Sequence, residues 1–143
     1  MPTINWPRVL VGGLAAGLIV NLSEFIISGV WLRAEWEKVL LALNRPLVAS
    51  GGQMAALLFW GFLLGLTSIA LYAHIRDRYG PGWRTAWIAG LAVWCVGYLS
   101  GTVAGVSMGI FPLSLATDAT LAGLIEILAA STAGAWLYRP LTK

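Results

Sequence analysis

Glu24 and Glu126 are the residues whose chemistry most needs explaining, because each stands inside a long apolar run: VLVGGLAAGLIVNLSEFIISGVWL and DATLAGLIEILAASTAGAWLY. An ionised side chain at the centre of a bilayer costs about 2.5–3.5 kcal/mol on insertion scales, so intramembrane acids face a bundle interior or water. Neither run contains a lysine or arginine to neutralise its acid. Asn21 lies three positions before Glu24, on the same helical face, and has amide protons to donate. Two chemistries fit. Glu24, Glu126 and Asn21 form a proton or cation site, or the two acids stay neutral and tie helices together by hydrogen bonds.

Other chemistries lack their parts. The chain offers one histidine, His74, and one cysteine, Cys95, whereas a structural zinc site takes four such ligands. No metal or other cofactor is therefore expected. His74 sits beside Arg76 near the end of an apolar run, where an interfacial histidine is the simpler reading, and Cys95 reads as a small core residue. No Ser-His-acid or Cys-His set can be assembled on one side of a membrane, and no phosphate-binding glycine loop is present. No catalytic residue is assigned and an enzyme is not expected. The net charge of +3 is spread along the chain without a basic stripe, which argues against a nucleic-acid partner.

The elements that must position the two acids are membrane spans. Hydrophobic residues make up 59% of the 143 positions and charged residues 10%, against about 25% charged in soluble domains. Lipid must cover most of such a surface. A bilayer core about 30 Å thick takes roughly 20 apolar residues per helix. Spans are predicted at about 9–32, 53–75, 85–108 and 118–138, making one all-α, four-transmembrane-helix domain over 1–143. Pro112 interrupts the pattern, Thr117 or Asp118 can cap the fourth helix, and 109–116 reads as an outer apolar loop. In the first loop Trp36, Val39, Leu40, Leu43 and Leu47 share a face opposite Glu35, Lys38 and Arg45. That spacing predicts a short amphipathic interfacial helix, lying on the membrane or packed on the bundle.

Lysine and arginine distribution orients the spans. Arg8, Arg76, Arg78, Arg84, Arg139 and Lys143 fall on one side, against Arg33, Lys38 and Arg45 on the other. Both termini are expected in the cytoplasm.

Helices in lipid associate where small residues let backbones approach. Gly97, Gly101, Gly105 and Gly109 recur every four residues in the third span and would form one ridge. Gly61 and Gly65 repeat the spacing in the second span, and Gly13 and Gly17 in the first. The first span extends its small face through Asn21, Glu24 and Ser28, and the fourth carries Ala122, Glu126, Ala130 and Gly134.

Asn21-Leu22-Ser23-Glu24-Phe25, Trp60-Gly61-Phe62-Leu63-Leu64-Gly65 and Ala133-Gly134-Ala135-Trp136-Leu137-Tyr138 together resemble a group of small bacterial four-helix integral membrane proteins without an established activity. The resemblance implies a multi-pass protein of the bacterial inner membrane and carries no activity over. The expected partners are the lipid bilayer and either further copies of this chain or other membrane proteins. Three functions are consistent with these residues. The first is a structural or accessory component of a homo-oligomer or larger complex. The second is a proton-coupled transporter or channel using the intramembrane carboxyls, and the third a binder of lipid, quinone or pigment against aromatics such as Trp60 and Trp94.

Overall fold

The computed structural model describes residues 4–140. Its helices are α1 (Trp6–Ile26), α2 (Arg33–Ala42), α3 (Gly51–Tyr79), α4 (Trp83–Trp94), α5 (Ser100–Ser107) and α6 (Leu113–Leu137). Two five-residue π-turns, Ile27–Trp31 and Cys95–Leu99, extend α1 and join α4 to α5. Four continuous helical segments, Trp6–Trp31, Gly51–Tyr79, Trp83–Ser107 and Leu113–Leu137, are long and apolar enough to cross a membrane. The chain is an all-α, multi-pass membrane bundle.

Local chemistry sets the ends of these helices. Asn5 caps α1 by accepting from the Arg8 amide, with Pro7 in the first turn, where a missing N–H costs nothing. Ser50 and Gln53 form a reciprocal capping box at the start of α3. The fourth span begins at Leu113, five residues before Asp118, so 109–116 is not wholly a loop. Pro112, at φ −59°, starts this helix instead of breaking it, because a helix-compatible φ with no N–H suits the position before a first turn.

Around the bundle α1 lies between α3 and α6, and α4 also touches both. Two glycine crossings hold α1. A methyl group on Gly65 would sit 2.2 Å from the Gly17 nitrogen and 2.6 Å from the Gly13 oxygen, so the α1 and α3 backbones touch there. On the other flank a methyl on Gly12 would sit 2.5 Å from the Gly134 oxygen, and one on Gly134 would sit 2.6 Å from the Gly12 oxygen. Ala16, Ile69, Ile127 and Ala130 fill the core between these crossings.

The end of the bundle where α1 begins and α6 finishes is closed by aromatics. Tyr72 and Tyr138 meet edge to face at 5.9 Å, the Arg76 guanidinium lies over the Tyr138 ring, and the Gly82 amide donates to the Tyr72 hydroxyl. At the opposite end α2 forms as the first-loop pattern predicts, but that pattern divides. Val39 joins Leu32 and Leu115 in a small core and Trp36 packs edge-on against Phe111, while Leu41, Leu43 and Leu47 stay exposed.

Candidate functional site

The register of the site follows from the Gly12–Gly134 contact. Twelve residues along antiparallel neighbours, Glu24 falls level with Ala122. That is one helical turn, about 6 Å in depth, from Glu126. The turns bearing the two acids therefore lie side by side, but no hydrogen bond joins Glu24 to Glu126 among the described residues. Glu24 is exposed and accepts from the Ser28 hydroxyl at 2.5 Å. Glu126 is 3% exposed, and its Oε1 accepts from the Tyr98 hydroxyl.

Asn21 serves neither acid. Its amide donates to the Gly17 carbonyl at 3.0 Å and, across to α3, to the Leu58 carbonyl at 3.2 Å. The side chain lies over Gly61, where a methyl group would approach its Oδ1 to 2.4 Å. Asn21 thus fixes the outer edge of the α1–α3 crossing, and spacing alone could not distinguish that backbone partner from a carboxyl one turn away.

Tyr98 is the site residue that the sequence reading did not single out. Its position depends on the π-turn at Cys95–Leu99. One extra residue in a turn rotates everything after it by about 100° relative to a continuous α-helix. The available signal was chemical: a tyrosine hydroxyl deep in an apolar span needs a polar partner. Gly123 makes room for it, since a methyl group there would strike the Tyr98 ring at 2.6 Å. Nearer the start of α6, Thr120 donates to Thr102 at 2.9 Å, and the Trp94 indole donates to the Thr120 carbonyl at 2.9 Å.

The π-turn also disperses the glycine ridge. A methyl on Gly97 would meet Leu64 at 2.8 Å, whereas one on Gly101 would find nothing within 4 Å. Gly105 is covered by the Phe111 ring. Gly109 stands outside the helix at φ +70°, where the Ile110 amide bonds the Gly105 carbonyl and the Gly109 amide bonds the Val106 carbonyl. This is a glycine-terminated Schellman cap, so Gly109 is required for its left-handed backbone and belongs to no ridge.

Two buried side-chain oxygens, Ser131 Oγ and Glu126 Oε2, remain unaccounted for among the described residues. Glu126 Oε2 is buried without a hydrogen-bond partner. Glu126 also lines an open cleft of about 350 Å³ between the first and fourth spans, with Ser23, Ile26 and Ile27 on one wall and Ala122, Ile125 and Ala129 on the other. Among the described residues no group of three or more His, Cys, Asp or Glu is placed to hold a metal ion. No protein-family model matches the chain, and neither a curated protein nor a solved structure proves similar to it.

Proposed function

We propose that this chain is a structural or accessory component of a membrane assembly, a homo-oligomer or a larger complex, whose outer half is completed by another chain. The supporting observation is that every residue from Gly51 to Trp60, almost three turns of α3, is exposed. A span inside a finished bundle shows lipid on one side only. Small residues stand among those exposed here, Gly51, Gly52, Ala55 and Ala56 on α3 and Gly101 and Ala104 on α5. Surfaces of this kind gain little from lipid and much from close contact with a helix backbone. The proposed setting is the bacterial inner membrane with both termini in the cytoplasm, supported by the six-to-three distribution of Lys and Arg between the two sides.

Native mass spectrometry of the protein released gently from its own membrane tests this. The expected result is a fixed copy number or a stoichiometric complex; a monomer under every condition overturns it. Gly101→Leu sharpens the test, because open space surrounds that position and the monomer fold should tolerate it. Assembly should be lost while the fold survives.

A second reading, a proton-coupled transporter or channel, is favoured by one observation: Glu126 is an intramembrane acid with an unpaired oxygen. Glu126→Gln with assembly intact and proton-coupled flux abolished would select it.

A further inference from the structure

The geometry points to a binding site for a lipophilic cation in the cleft between the first and fourth spans, its charged centre against the Glu126 carboxyl and its apolar body on Ile26, Ile27 and Ile125. This inference does not rest on the assembly reading.

The carboxyl is held in a defined pose. Tyr98 occupies Oε1, Gly123 accommodates the Tyr98 ring, and Oε2 is left buried and unpartnered. A buried polar group without a partner is costly whether ionised or neutral, and the cost is recovered when a donor or a cation arrives. The described residues supply no cation, since their lysines and arginines all lie near helix ends or in loops.

The walls define the ligand. They are apolar except for Ser23 and Glu126, so they cannot replace the hydration shell of a small metal ion, which takes six or more oxygen ligands. An anion is repelled by the carboxyl, and a neutral hydrocarbon leaves Oε2 unsatisfied. A cation that carries its own apolar surface meets both requirements: it arrives from the lipid already poorly hydrated and places its charge against the carboxyl that has an unpaired oxygen. The volume of about 350 Å³ falls within the range of small-molecule sites, roughly 300–1,000 Å³.

Tetraphenylphosphonium is the probe, with tetraphenylborate as its size-matched anion, on the full chain in lipid nanodiscs. Wild type should bind the cation saturably at one per chain. Glu126→Gln keeps an acceptor for Tyr98 and removes the charge, and should weaken binding at least about tenfold, equivalent to 1.4 kcal/mol. Ala129→Leu fills the cleft from its exposed wall without touching the core and should weaken binding comparably; it decides the question if Glu126→Gln does not fold. Tetraphenylborate should show no dependence on Glu126. No saturable cation binding by wild type overturns the inference, as does unchanged cation affinity in both variants or equal Glu126 dependence for the anion.

Discussion

Adding one methyl group at Gly65 should be among the most damaging conservative changes available to this protein. A Cβ there would lie 2.2 Å from the Gly17 nitrogen, 2.6 Å from the Gly13 oxygen and 2.6 Å from the Gly17 Cα. Ordinary contact begins at 3.4 Å, so the nearest pair must separate by 3.4 − 2.2 = 1.2 Å. All three obstacles are backbone, and no rotamer change can clear them. A gap of 0.5–1 Å already forfeits about a quarter to a half of each dispersion contact around it. In lipid those contacts are the principal attraction between helices, with no hydrophobic term to compensate. Overpacking costs about 1–3 kcal/mol in general, and Gly65→Ala belongs at the upper end. Gly101→Ala is the control, because the same methyl there meets nothing within 4 Å. Reversible unfolding in mixed micelles, titrated with a denaturing detergent and followed by far-UV circular dichroism, measures both. Equal stability of the two variants would refute the argument that the α1–α3 crossing is a backbone contact.

Gly61→Ala tests the same crossing one turn away, where the obstacle is the end of the Asn21 side chain. It should cost less than Gly65→Ala, and adding Asn21→Ala should relieve part of the loss, giving a non-zero coupling in a double-mutant cycle. Tyr98→Phe removes the hydrogen bond to Glu126 and should cost about 0.6 kcal/mol in the same detergent titration, the average for interhelical bonds in membranes, and at most about 1.7; a cost near zero would show that Glu126 does not depend on Tyr98. Arg33→Ala breaks an exposed i,i+4 pair with Glu37, 2.8 Å apart, and should change stability by less than about 0.5 kcal/mol. In a Cys95→Ser background, Val48→Cys should react with an impermeant maleimide from outside intact cells and Asp77→Cys only after permeabilisation; the reverse pattern would overturn the proposed orientation.

The architecture was legible because lipid makes a coarse demand. Four runs of sufficient apolar length declare four spans, and no packing detail alters that. Legibility ended where backbone geometry departs from the ideal helix. The four glycines of the third span form a ridge only if 3.6 residues per turn persist from Gly97 to Gly109. The π-turn at Cys95–Leu99 breaks that phase, and the cap at Gly109 ends the helix. The fourth span starts five residues earlier than the predicted 118, because Pro112 opens the helix and does not break it. Ser28, four residues after Glu24 on the same face, is legible as its partner from spacing, whereas the Tyr98 partner of Glu126 depends on the π-turn and on which helix faces which. Pairwise spacing is a statement about one helix. Which neighbour receives a side chain is set by the register between helices, and here that register comes from Gly12 against Gly134, a pair 122 residues apart in the chain.

The two π-turns carry the connection between fold and chemistry. Both stand beside an acid: Ile27–Trp31 begins three residues after Glu24, and Cys95–Leu99 contains the tyrosine that holds Glu126. A π-turn has poorer backbone geometry than the α-helix it interrupts, so it persists only where something offsets the cost, and such bulges are frequent at functional sites. In the first span the wider turn directs Leu32 onto Val39 and Leu115, anchoring α2 over the start of α6. In the third it turns Tyr98 inward, while Val96 and Gly101 face out. A regular helix through Cys95–Leu99 would shift Tyr98 by about 100° relative to the residues before the turn. Glu126 would then lose the partner on Oε1 and be left with two unsatisfied oxygens. The interruption therefore presents Glu126 half-satisfied, one oxygen held by Tyr98 and one buried without a partner.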